Sequence, residues 1–206
     1  MLDNDNMSNG TATTRRKALS EQTRREILAA AREAFGGLGY EAASVGLIAR
    51  AAQVTTGALY HHFADKPALF AAVAEEIEAE IAQAVMQAGA GAADPWALLE
   101  AGAAYTLEHL LDERIRRIVL VDAPNVLGAA AWRAMQMRYG LGLATQALQG
   151  LAAAGLARTA DPAVAAQMLL AAMLQGAEAA ALADDPPAAL ARVQQDLLTL
   201  MRAFRV

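Results

Sequence analysis

The chain has no cysteine. A disulfide scaffold, a thiolate metal site and a cysteine nucleophile are excluded outright, and a reducing compartment fits. Aromatics make up 5% of the 206 residues, and only 6 prolines and 15 glycines interrupt a chain rich in alanine and leucine. β-branched residues are sparse as well. Low β propensity and few breakers favour an all-α protein. Hydrophobic residues at 56% exclude a largely disordered chain and give enough apolar surface for one large domain or two smaller ones.

The histidines and serines are equally scarce. His61 and His62 are adjacent, so on a helix they point about 100° apart and make poor joint metal ligands. His109 has acidic neighbours but lacks the H-E-x-x-H spacing of a zinc enzyme. Ser8, Ser20 and Ser44 stand in no nucleophile-elbow context, and no glycine-rich phosphate loop is present. The expectation is a protein that is not an enzyme and carries no cofactor or metal.

The net charge of -5 hides a division. From Arg15 to Lys66 eight basic residues face five acidic ones, a net of +3; from Pro67 onward nine arginines face fifteen acids, a net of -6. Only the first third suits a polyanion. Residues 1–14 are polar without the apolar core of a signal peptide, and are expected to form a disordered leader that runs on as a basic arm to 19. Ala165–Ala183 has the length of a membrane span. Its alanines are only weakly apolar, Gln167, Gln175 and Glu178 interrupt it, and no basic or aromatic flank is present. A helix buried on most faces in a soluble, cytoplasmic oligomer is the expectation.

Periodicity and punctuation predict about nine helices. The first spans about Thr23–Leu38, with Thr23 and Glu26 at capping-box spacing and Gly39 as its stop. Ser44 caps Val45–Ala51, Ala52-Gln53-Val54 turns, and Thr55 caps a helix through about His61. Asp65 caps a long helix whose apolar residues recur every four positions, from Leu69 to Val85, with Gly89 and Gly91 ending it. Asp94-Pro95 opens a helix to about Leu111, and Glu113–Val121 follows. The segment 122–128 reads as a loop. A long helix is expected over Ala129–Ala154, another opens at Asp161-Pro162, and the last covers Ala188–Phe204.

Ser44 to Phe63 has helix-turn-helix dimensions. Ile48, Ala49, Ala52, Val54 and Leu59 supply the small or apolar residues that two crossing helices require. The second helix presents small polar residues at its N-terminal end, the end that enters a major groove. A plain helical hairpin fits this much equally well. The longer string resembles the TetR/AcrR family of transcriptional regulators: Ile27-Leu28-Ala29-Ala30-Ala31, Phe35, Gly39-Tyr40, Ser44-Val45, Ile48-Ala49, Ala52, Val54-Thr55, Gly57-Ala58-Leu59-Tyr60-His61-His62-Phe63, Lys66 and Leu69. A weaker likeness to a subset of that family runs through 122–128, Trp132-Arg133 and 138–142. Three positions depart from the family pattern: Gln53 replaces a turn glycine, Thr56 a frequent Lys or Arg, and Gly46 a longer polar residue.

The resemblance implies a DNA-binding domain over 20–66 and a helical ligand-binding and dimerisation domain over 67–206. It implies that Thr55, Thr56, Gly57 and Ala58 face base edges. Ser44, Tyr60, His61 and Lys66 contact phosphates, and Arg15, Arg16 and Lys17 form either a minor-groove arm or a solvated tail. Leu59 and Phe63 are core, and His62 is read either as packing or as a phosphate contact. The last two helices pair two copies of the chain. For a small, mostly apolar or aromatic effector the candidate contacts are Trp96, Tyr105, His109, Asp122, Trp132, Met135, Gln136, Tyr139 and Met173. The implied function is an effector-released repressor of a palindromic operator in double-stranded DNA. A helical interaction scaffold without DNA binding is the alternative.

Overall fold

The computed structural model describes residues 5–89 and 94–206. Among them are eleven α-helices, a π-helical stretch and no strand; the sole extended pairing is an isolated bridge between Ala157 and Arg205. Contacts divide the chain into two compact units, Met1–Val73 and Ala74–Val206.

In the first unit α1 spans Asp5–Leu38, α2 Val45–Ala51 and α3 Thr56–His62, and α4 (Lys66–Gly89) begins. Helix α1 corrects two expectations. Residues 5–19, within the expected disordered leader and arm, are helical; residues 1–4 lie outside the described residues. Thr23 is no cap, because its hydroxyl donates to the Leu19 carbonyl one turn back, at 3.0 Å. That back-bond is how threonine sits inside a helix, and propagation adds one hydrogen bond for each further residue fixed. Gly39, at φ 82°, ends the helix where glycine alone is unstrained.

The core of this unit is Ile27, Ala31, Phe35, Ile48, Leu59 and Phe70, all fully buried. The Phe35 and Phe70 rings meet edge-on with centroids 5.1 Å apart, and Tyr40 packs edge-on against Phe70 at 5.2 Å. The Arg24 guanidinium lies 5.2 Å from the centre of the Phe63 ring.

The second unit holds the remainder of α4 and seven further helices: α5 (Pro95–His109), α6 (Glu113–Arg116), α7 (Ala123–Leu127), α8 (Ala129–Arg138), α9 (Gly140–Ala153), α10 (Pro162–Ala181) and α11 (Pro186–Arg202). Asp94, Asp161 and Asp185 each cap a helix that carries proline in its first turn. The predicted helix 113–121 is α6 followed by a π-helical stretch, Arg117–Asp122. The predicted loop 122–128 is helical too. Pro124 offers no N–H, and its ring disfavours the carbonyl four residues back; just before it, the Ala123 amide reaches the Ile118 carbonyl, five back. The predicted helix 129–154 is broken at Tyr139 (φ -122°, ψ -120°). There α9 crosses so closely that a Cβ on Gly142 would overlap the Met137 carbonyl oxygen.

Helix α10 packs against α9 and α11. Among the described residues it is the one helix long and apolar enough to cross a membrane. Within the single chain less than a third of its apolar stretch is buried, and Val164 and Met168 are exposed, faces that only an oligomer would cover.

Candidate DNA interface and effector cavity

The turn between α2 and α3 is closed by three backbone bonds: Ala52 N–H to Ile48, Gln53 N–H to Arg50 and Val54 N–H to Ala49, at 2.9–3.1 Å. Gln53 takes φ 56°, the left-handed region the turn demands, at a cost of about 1 kcal/mol for a residue with a Cβ. The Ser44 hydroxyl accepts from the Leu47 amide at 3.2 Å, and Thr55 accepts from Ala58 at 3.0 Å. Each hydroxyl keeps its own proton to donate outward.

These caps fix what α3 offers. Leu59 and Phe63 are buried against the unit, and His62 is half-buried. Thr55, Thr56, Gly57, Tyr60 and His61 are exposed, and Ala58 is half-buried. A Cβ on Gly57 would meet only Thr55 Oγ1 at 3.9 Å, so nothing inside the chain requires a glycine there. Lys66 is held by its own unit. Its ammonium donates to the Glu41 carbonyl at 3.3 Å and lies 4.2 Å above the Tyr40 ring. Arg15, Arg16 and Lys17 are exposed on the helical extension of α1 rather than on an extended arm.

The second unit holds a partly open cavity of about 170 Å³, walled by α4, α5, α8, α9, α10, α11, Leu110 and Val119 of the π stretch. That is the scale of a cavity that admits one aromatic ring. Most lining residues are aliphatic or small. Of the nine expected effector contacts, only Gln136 and Met173 line it.

The other seven lie off the wall, for visible reasons. Trp96 is buried, donating its indole N–H to the Leu156 carbonyl at 3.3 Å. Trp132 and Met135 are core. The Tyr105 and His109 rings stack with centroids 4.0 Å apart, and His109 Nδ1 lies 3.0 Å from the Tyr105 carbonyl. Asp122 ends the π stretch, half-buried. The Tyr139 hydroxyl donates to Glu75 at 3.0 Å; burial, then that bond, raises its pKa. The aromatic candidates pack elsewhere, and this cavity is lined by aliphatic side chains, three methionines and several alanines and glycines.

Glu78 was missed. It lies on the cavity wall beside Ile81, Ala82 and Val85, and burial pushes its carboxyl up to about 7. The sequence signal was a carboxylate three residues before Ile81 and next to the apolar stripe of α4. Gly102 faces the same wall, where a Cβ would lie 2.9 Å from Val85 Cγ1.

An exposed helix-turn-helix on one unit and an apolar cavity in another define a DNA-binding regulator architecture. Residues 27–73 match the family model for bacterial regulatory proteins of the tetR family, and residues 96–204 match the tetracyclin repressor-like C-terminal domain. A solved TetR-family transcriptional regulator from Pectobacterium atrosepticum is 34% identical, with a TM-score of 0.75 over 92% of this chain and 97% of that one. The HTH-type transcriptional regulator AcrR of Shigella flexneri is 35% identical over 50% of this chain and 49% of its own length. The HTH-type transcriptional repressor AcnR of Corynebacterium efficiens is 43% identical over 32% of this chain and 36% of its own. The chain thus spans about half, or less, of the curated relatives it matches. It belongs to the TetR family of transcriptional regulators, a family of DNA-binding proteins rather than enzymes. The scaffold alternative gives way to that membership.

Proposed function

We propose that this regulator is a repressor that binds a palindromic operator as a homodimer and is released by a small, mostly apolar effector. One observation carries the DNA-binding half: at the N-terminal end of α3, Thr55, Thr56 and Gly57 are exposed, and no contact within the chain requires the glycine. Thr55, Thr56, Gly57 and Ala58 read base edges, with the threonines donating to acceptors or meeting thymine methyls. Ser44, Tyr60, His61 and Lys66 set the register on phosphates, joined by Arg15 and Arg16 from the α1 extension. No Arg or Lys lies within α3, so affinity leans on phosphate contacts and on two half-sites read together.

The pairing surface is α10 with α11. Val164, Met168, Leu182 and Leu200 are at least half exposed there, an apolar burden that a second copy removes from water. Gly176 allows α10 and α11 to meet closely, since a Cβ on it would overlap Val193 Cγ1. The effector occupies the cavity of the second unit. Helix α4 starts at Lys66 and runs on to carry Glu78, Ile81 and Val85 of the cavity wall, so it is the lever by which occupancy shifts the dimer to a state unsuited to DNA. The cytoplasm is where such a protein meets its operator.

The test is a mobility shift on the DNA flanking the protein's own coding region, run across a salt series. Binding of a dimer that weakens steeply with salt is expected. A monomer in light scattering, or association indifferent to salt, overturns the reading.

A further inference from the structure

The wall of the second-unit cavity is apolar except at three side chains, Glu78, Thr106 and Gln136. Thr106 already spends its hydroxyl on the Gly102 carbonyl of its own helix, at 2.8 Å. Glu78 differs: among the described residues it makes neither a hydrogen bond nor a salt bridge. Glu75 lies one turn before it on the same helix, and Tyr139 at the α8–α9 break is near enough to feel its charge. Arg138 pairs with Glu75 at 3.1 Å, and Tyr139 donates to the same Glu75 oxygen at 3.0 Å. The cation at that break is therefore paired with Glu75 and not with Glu78. The lining residues from α5, α8, α9, α10 and α11 carry no ionisable side chain.

A carboxyl in such a wall either keeps its proton or takes a cation from outside. Resting on the effector-site reading of this cavity, we propose that its ligand is a small, mostly apolar amine whose ammonium pairs with the Glu78 carboxylate. The hydrocarbon part, of about one ring in size, fills the aliphatic wall. With the Glu78 carboxyl pushed up to about 7, proton and ammonium compete for the same oxygens near neutrality. Amine binding then releases a proton and strengthens as pH rises, by about tenfold from pH 6 to 8.

The test uses the full chain and calorimetric titration with benzylamine and benzyl alcohol, two ligands of the same shape. Benzylamine is expected to bind about tenfold or more tightly than the alcohol at pH 8. That preference shrinks toward pH 6, and Glu78→Gln abolishes it while leaving the alcohol's affinity in place. Equal affinities for the two ligands, a pH-independent preference, or a preference retained in Glu78→Gln overturns the proposal. The wild-type pH series decides it even if the variant folds poorly. If the alcohol binds and the amine gains nothing, the effector site stands and the amine class falls. If neither binds, both fall, and the mobility shift still reports on the DNA-binding half.

Discussion

In the first unit the residues that hold the fold and those offered to a partner are separate sets. Phe35, Ile48, Leu59 and Phe70 are sealed inside, while Thr55, Thr56, Gly57 and Tyr60 stand in solvent. In the second unit the sets overlap: Ile81, Leu110, Val119 and Met173 are at once core and cavity wall. A surface of the first kind can change its partner with no cost to folding. A wall of the second kind cannot change its ligand without changing the packing.

The sharpest way to break this comparison is Gly57→Glu. A Cβ there meets nothing within the chain closer than Thr55 Oγ1, and the substitution brings a negative charge to the exposed N-terminal end of α3. DNA affinity should fall about a hundredfold or more, since like charges brought together cost several kcal/mol. The thermal midpoint should stay put, and a parallel drop would show that the two sets are not separate.

Next in size is the pH dependence that Glu78 imposes on the second unit. Its folded pKa of about 7 lies above its ordinary value of 4.5, so the folded state holds the proton more tightly. The resulting stabilisation is complete below pH 4.5 and is lost as pH rises through 7. Its size is on the order of 2–3 kcal/mol. Urea melts between these limits should show the decline, and Glu78→Gln should flatten that part of it.

Gly142→Ala forces a methyl into the Met137 carbonyl and should destabilise by about 1–3 kcal/mol. Denaturant melts measure this, with DNA contacts on the other unit left chemically unaltered. The smallest effects belong to the first unit. Gly46→Ala adds a Cβ into open space inside α2, and Gln53→Gly relieves the φ of 56°. Each should stabilise by up to about 1 kcal/mol, read as a rise in thermal midpoint. Destabilisation by either would mean that the turn tolerates its departures from the family pattern for a reason of packing.

Local signals were legible where the cause is local. Ser44, Thr55, Asp94 and Asp161 cap helices as their spacing predicts, because a cap needs only its own next three residues. The Thr23 cap failed because a capping box cannot tell whether the chain before it is already helical. The break at Tyr139 and the π stretch before Pro124 were invisible, since both depend on how neighbouring turns of α8, α9 and the preceding helix fit together. Seven of the nine expected effector contacts lie off the wall for a related reason. Large side chains advertise burial, whereas a void is made by what small side chains omit.

The amino-acid order alone determined an all-α chain, a helix-turn-helix whose second helix begins with small residues, and a basic first third, because periodicity, caps and charge act within a few residues of one another. The tertiary structure alone decided where space remained between helices distant in sequence, and that Glu78 stands on its wall with no counter-charge. A cavity and an unpaired carboxyl are properties of the packing of α4, α5, α9 and α10 together, and no single segment carries them.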